Sequence, residues 1–180
     1  MDISALQNRL PAIRRWIDTT VAEHRPVARP VTSLGFARLA HYFDSETLSR
    51  AYVVEVDVVP KPPLTALGLH RFSDFEQMNA AGITYGNVYF VARARAADES
   101  LHFHELVHTL QWHNLGADRF VLAYALGHLA SGGYANNPFE EIAHELEEMF
   151  VRQPRLFRVE PILSQHLERV VPPLMKLAGQ

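Results

Sequence analysis

His104-Glu105-Leu106-Val107-His108 sets two imidazoles and a carboxylate within five residues. On a helix, residues four apart lie one turn apart on the same face, so His104 and His108 can present two ring nitrogens to one point. That spacing suits a divalent ion such as zinc, and Glu105 beside the pair can act as base toward a water at the same point. With 10 His in a chain of 180 residues, composition alone produces about 0.04 such matches. The motif is informative, and its surroundings must decide.

The helix that would carry the pair is framed at both ends. Asp98 is a fitting N-cap and Gly116 a fitting residue just past the C-terminus, which predicts a helix of about 17 residues and about 26 Å. At 100° per residue, Phe103, Leu106, Val107 and Leu110 form one apolar arc for packing on a core. His104 and His108 fall on the other side among Leu101, Trp112 and Leu115, a composition suited to the wall of a covered site.

Catalytic zinc is held by three protein ligands with one position open. No third His follows His108 by six residues, because position 114 is Asn, and position 111 is Gln where a glycine would be wanted. The metzincin form of the motif is thereby excluded. The stretch Asn136-Asn137-Pro138-Phe139-Glu140-Glu141-Ile142-Ala143-His144 offers the best candidate. On a helix starting there, Phe139, Ile142, Ala143, Leu146, Met149 and Phe150 form the core-facing arc. Glu140 and Glu147 border it, while Glu141, Glu145 and Glu148 point away as a solvated face. Glu140 can therefore reach a metal held between helices. Equally, with Asn137 as N-cap, Glu140 sits where Glu commonly turns back to the cap's backbone N–H. His144, one turn after Glu140, suits support of a metal-bound side chain or a ligand position of its own. His102, His113 and His128 read as surface or packing histidines.

His104-Glu105-x-x-His108 followed by the helical Glu140-Glu141-Ile142-Ala143 resembles the zincin metallopeptidases of the gluzincin type. The longer pattern, HELVHxxQW and then NPFEEIA, resembles short bacterial zincin-like domains. The likeness spans roughly residues 83–150. It implies zinc on His104, His108 and Glu140 with Glu105 as general base, in a peptidase acting on a peptide or protein substrate. Many gluzincins carry Asp four residues after the ligand Glu, where it orients a metal-bound His; this chain has His144 there.

On that reading Glu105 takes a proton from the attacking water and passes it to the leaving amine. The oxyanion needs a second stabiliser. Tyr134, just before the Glu140 helix and behind Gly132-Gly133, is the first candidate, with Tyr124 and His144 as alternatives. A strand from the 83–92 segment can bind an extended peptide by β-addition. The alternative function is a non-catalytic, zinc-stabilised binding module, which keeps the three ligands but has no use for Glu105.

The net charge of −3 provides no basic footprint for nucleic acid, and the lack of cysteine removes thiolate chemistry and disulfides. No 18-residue apolar run and no export-type N-terminus are legible, so a cytoplasmic protein with no membrane partner is expected. Ahead of the motif, Ser4 can cap a helix with Leu6, Leu10, Ile13, Ile17 and Val21 on one face, interrupted or restarted at Pro11. His24–Pro30 reads as an extended connector. Asp44–Arg50 suits one or two helical turns, and Tyr52–Val59 a strand with Val54, Val56 and Val58 on one face. Residues 73–78 suit a short helix. Residues 83–91 form either a hairpin about Gly86-Asn87 or one kinked strand.

Downstream, helices are expected over Asp118–Ser131 and from Asn137-Pro138 to about Gln153. A last helix from Ile162 would be broken or ended at Pro172-Pro173. The expected fold is α+β in one zincin-like domain: a small β-sheet, the motif helix, then a helical C-terminal part.

Overall fold

The computed structural model describes residues 3–152 and 155–179. The chain is α+β. Helix α1 (Ile3–His24) is followed by a two-residue strand β1 (Arg29–Pro30), α2 (Ser45–Arg50) and β2 (Tyr52–Val56). A short α3 (Ser73–Gln77) precedes the hairpin β3 (Gly82–Tyr85) and β4 (Val88–Ala92). Four longer helices complete the fold: α4 (Glu99–Leu115), α5 (Ala117–Ser131), α6 (Pro138–Arg152) and α7 (Val159–Leu177). No helix among the described residues is long and apolar enough to cross a membrane.

The sheet order is β1-β2-β4-β3, with β2 and β4 parallel and both outer pairs antiparallel. Of the two readings of residues 83–91, the hairpin is the one formed. Its turn is Gly86-Asn87, with Gly86 at φ +68°, a conformation that glycine adopts without penalty. Tyr85 pairs with Val88 and Ile83 with Phe90, which places these four residues on one face. That face meets α1, where Trp16 packs edge-on to Tyr85 and His24 edge-on to Phe90. Gly82, Thr84 and Tyr89 take the opposite face, toward α4. There Tyr89 shares a 2.8 Å hydrogen bond with His102 Nδ1, whose Nε2 lies 2.9 Å from the carbonyl of Ala96. Helices thus cover both sides, and Val88–Val91 are fully buried.

The ends of α4 are as the sequence predicts. Asp98 Oδ1 accepts from the backbone N–H of Ser100 at 3.1 Å and of Leu101 at 3.4 Å. Gly116, at φ +71°, is the single residue between α4 and α5, and its N–H donates to the carbonyl of Trp112. Phe103, Leu106 and Val107 have no exposure and Leu110 has little. Burial is wider than one arc, however: every residue from Leu101 to Trp112 is buried, histidines and Glu105 included. The Phe103 ring stacks on Phe150 of α6 with centroids 4.5 Å apart and packs against Tyr42 and Phe43.

Several expectations are corrected. Helix α1 is already under way at Ile3, so Ser4 is not its cap, and it runs through Pro11. The carbonyl that Pro11 leaves without a donor belongs to Gln7, which is exposed, so water can take that place. Likewise α7 begins at Val159 and continues through Pro172-Pro173, because the carbonyls they free lie on exposed Glu168 and Arg169. The segment expected to be an extended connector forms a 3₁₀ turn over Arg25–Val27 before pairing with β2 as β1. β2 ends at Val56, and Val58 beyond it is 82% exposed. Met149, assigned to the core-facing arc of α6, is 41% exposed, while Glu141, Glu145 and Glu148 face solvent as expected. Helix α6 is described to Arg152; the expected end near Gln153 lies outside the described residues.

Because Phe103 joins α4 to α6 in the centre of this core, Phe103→Ala should destabilise the fold by about 3–5 kcal/mol. Urea or guanidinium unfolding measures this; a loss below about 1 kcal/mol would mean that α4 is anchored elsewhere.

Candidate metal centre

Two helices and one hairpin strand position the polar groups. Helix α4 brings His104 and His108 to one side. Their Nε2 atoms lie 3.0 Å apart. Helix α6 crosses behind them and supplies Glu140, with Oε2 at 3.5 Å from His104 Nε2 and Oε1 at 3.4 Å from His108 Nε2. All three residues are buried. The alternative of a capping role for Glu140 is answered by its neighbours. The N–H of Asn137 donates to the carbonyl of Tyr134, and the fully buried Asn137 side chain caps the helix through the N–H of Phe139. Asn137 fits there because Gly127 leaves room; a Cβ at 127 would lie 2.6 Å from its Oδ1. Glu140 is free to turn toward the histidines.

The outer nitrogens of both rings are occupied. His104 Nδ1 lies 3.1 Å from Glu147 Oε2, a group that can only accept, so this nitrogen carries the proton. His108 Nδ1 lies 2.8 Å from Gln111 Oε1, and the Gln111 amide is oriented by donating through Nε2 to the carbonyl of Phe139 at 2.9 Å. Both Nε2 lone pairs therefore aim inward at one point. Tyr124 donates to Glu140 Oε1 at 2.6 Å, whereas Glu140 Oε2, although buried, has no hydrogen-bond partner among the described residues. A tetrahedral zinc ion bound at about 2.0–2.1 Å spaces its donors by about 3.3 Å. The donor separations here, 3.0 to 3.5 Å, fit that ion, and an orphaned carboxylate oxygen is what it would satisfy.

Charge follows geometry. Burial alone would depress His104, but Glu140 and Glu147 outweigh it and raise its pKa to about 10. His108 moves up for the same reason, against burial, through Glu140. Burial would lift the Glu140 carboxyl, yet the two histidines hold it well below the usual range. Without metal, the inward site holds protons.

Glu105 is not part of this donor set. Burial raises its pKa, and the nearby histidines and Thr84 only partly offset the rise. Thr84 Oγ1 donates to Glu105 Oε2 at 2.7 Å. Gly82 lies flat against the same carboxylate, where any Cβ would collide with it. The hairpin strand thus fixes a carboxylate of raised basicity beside the histidines.

These groups open on a cleft of about 110 Å³, otherwise largely apolar. Helix α1 contributes Leu6, Ile13 and Ile17, and the segment before β3 contributes Leu69, Phe72 and Phe75 among others. That segment is pinned by Thr65, which bonds Glu76 through both N–H and hydroxyl, and by the Tyr85 hydroxyl on the carbonyl of Pro60. The N-terminal region is therefore one wall of the site. β3 is an edge strand. The Ala92 N–H bonds the Ala81 carbonyl, so by alternation the backbone groups of Gly82 and Thr84 point away from β4, on a strand that lines the cleft.

Tyr134, the candidate oxyanion stabiliser, is half-buried and lines the cleft. Burial, the Glu140 charge and a hydrogen-bonding interaction with the Glu140 carboxylate keep its hydroxyl protonated, well above its ordinary range. The Tyr124 hydroxyl likewise donates to Glu140, at 2.6 Å. His144 is exposed, its ring centroid 4.6 Å from that of His104 at a tilt of 47°, and lies 3.5 Å from Glu147, outside the inward donor set. His102 packs in the core and His113 is exposed, as expected; His128 instead lines the cleft. Glu147, which borders the buried arc of α6, and Gln111 are two site residues whose roles the sequence does not announce. Their spacing, three after His108 and seven after Glu140, is the signal that was there. Comparison with known proteins adds nothing further: no family model, no curated protein and no solved structure matches the chain.

Glu147→Ala should leave the fold intact, since the side chain is partly exposed, yet weaken zinc binding about 10–100-fold. Glu147→Gln, which keeps an acceptor for His104 Nδ1, should recover most of it. Titration against a chromophoric chelator reads both, and equal affinity of Glu147→Ala and wild type would refute the orienting role. Zinc must also displace the proton that His104 holds up to about pH 10. Affinity should therefore rise about tenfold per pH unit between pH 6 and 8, for each proton released, and fall as the site is acidified. A flat profile would contradict the protonated inward site.

Proposed function

We propose that the chain is a zinc-dependent hydrolase, a metallopeptidase of zincin-like fold in the gluzincin arrangement, with His104, His108 and Glu140 as ligands. The observation that carries this reading is Glu105: a buried carboxylate that is not a ligand, held by Thr84 and Gly82 beside the donor set and opening on the cleft. A module that used metal only for stability would gain nothing from burying it. Glu147 supports the reading too, since it occupies one of the two outer nitrogens in place of the Asp expected at position 144.

Bound there, zinc supplies Lewis-acid polarisation of a carbonyl and makes a water acidic enough to lose its proton near neutral pH. The protein's own groups do the rest. Glu105 accepts the proton of the attacking water as its oxygen bonds to the carbonyl carbon and the carbonyl electron pair moves onto oxygen. Tyr134, kept protonated, donates a hydrogen bond to that oxygen. As the C–N bond breaks, Glu105 returns the proton to the departing amine, so acid and base are one residue used twice. The free edge of β3 can pair with an extended substrate, holding its backbone beside Glu105.

Glu105→Gln separates this reading from a zinc-stabilised binding module. The variant should keep about one zinc per chain, measured by mass spectrometry of chelator-free protein, and lose at least about 100-fold in hydrolysis of a peptide library. Equal hydrolysis by both proteins, or none by zinc-loaded wild type, would favour the module.

A further inference from the structure

The cleft contains a second polar point that the hydrolytic machinery does not use. His128 on α5 is 3% exposed, and its Nε2 lies 3.2 Å from Asp74 Oδ1 on α3. A carboxylate only accepts, so Nε2 carries a proton toward Asp74, and in the neutral form of the ring Nδ1 is the acceptor. That Nδ1 is buried and has no hydrogen-bond partner among the described residues. The Phe72 ring packs on the imidazole with centroids 5.3 Å apart, so the ring is held by an apolar face as well as by Asp74. A buried polar atom left unmatched calls for a partner the protein itself does not supply.

Position ties it to the metal centre. His128 follows Tyr124 by one helical turn, and Tyr124 touches Glu140. Both residues line the same cleft. Trp112, one turn after His108, also lines it, and its indole N–H is likewise buried without a partner. Two residues that line the cleft thus each carry a buried polar atom with no partner among the described residues, one a ring nitrogen and one an indole N–H. An amide has both complements.

We propose that His128, held by Asp74, is a substrate-binding residue that accepts a hydrogen bond from an amide N–H of a peptide ligand bearing an apolar side chain. This rests on the zinc-site reading, since the ligand is anchored at His104, His108 and Glu140. His128 binds and orients; it takes no part in the proton transfers assigned to Glu105.

The test is equilibrium binding to the zinc-loaded full chain, with three hydroxamate probes. Acetohydroxamate reads the metal alone. The hydroxamate of N-acetyl-leucine adds an apolar side chain and one amide N–H, and its N-methylated form lacks only that N–H. In wild type, N-methylation should weaken binding about three- to tenfold, the range of one hydrogen bond. In His128→Phe that difference should vanish while acetohydroxamate binds as before. Asp74→Ala, at a side chain that is largely exposed, should shrink the difference in the same way without disturbing the core. Equal sensitivity to N-methylation in wild type and His128→Phe overturns the assignment of His128. Absence of acetohydroxamate binding to zinc-treated wild type overturns the metal site, and this proposal with it.

Discussion

Everything at the centre depends on where two protons sit. The outer nitrogens of His104 and His108 are engaged by Glu147 and Gln111, and only for that reason do the inner nitrogens converge at 3.0 Å. An imidazole free to rotate would turn either nitrogen to whichever acceptor was nearest, and the pair would be two packing histidines. The outer hydrogen bonds choose the tautomer and the ring plane together. Helix spacing alone brings the rings near each other; the acceptors set which nitrogens face inward, where they could hold a metal ion. Each acceptor is in turn constrained. Gln111 is fixed by the carbonyl of Phe139, the residue before Glu140, so the helix that brings the third donor also orients the second.

This explains which parts of the site were legible in the sequence. His104, Glu105 and His108 share one helical turn, and the geometry of a turn is local, so their convergence follows from numbering. Glu140 comes from another helix 32 residues on, and numbering could place it only beside a buried arc, with capping as an equal possibility. Asn137 decided between the two by satisfying the helix end with its own side chain. Glu147 and Gln111 were hidden because their roles are relations between elements: a carboxylate two turns along α6 becomes meaningful once α6 is known to cross α4 near His104. His144 lies beside the His104 ring outside the inward set, and the carboxylate on His104 Nδ1 is that of Glu147, three residues further on.

Elements followed a similar rule. Caps, glycine signals and apolar periodicity locate α4 and α5, since those signals act within a few residues, whereas residues 83–91 allow both a hairpin and one kinked strand until the pairing is seen. Prolines misled at both ends of the chain. A proline frees a carbonyl one turn earlier, and whether that ends a helix depends on what can satisfy the carbonyl. At Gln7, Glu168 and Arg169 the answer is solvent, and the helices continue. From numbering alone the N-terminal region could equally shape one wall of the cleft or simply complete the core, because a cleft wall is assembled from residues far apart. Leu6, Ile13 and Ile17 read as core positions of a packing helix, and they are buried; what numbering cannot show is that the core they complete has an opening with Glu105 at its edge.

The buried polar residues of α4 then pose an energetic question. A helix whose middle is fully enclosed carries His104, Glu105, His108 and Gln111 into a low-dielectric interior, where unpaired polar groups are costly. Thr84 bonds Glu105, Phe139 bonds Gln111, and Tyr124 bonds one oxygen of Glu140. The inner face is left short: two ring nitrogens face each other and Glu140 Oε2 has no hydrogen-bond partner among the described residues. Protons relieve this in the metal-free chain, which is why His104 holds one to about pH 10 and Glu140 holds none. One proton can bridge two donors; a tetrahedral cation satisfies all three and leaves a fourth position open. The buried His104-His108-Glu140 group is therefore one that could hold a metal ion, since a cation would satisfy donors that protons satisfy only in part.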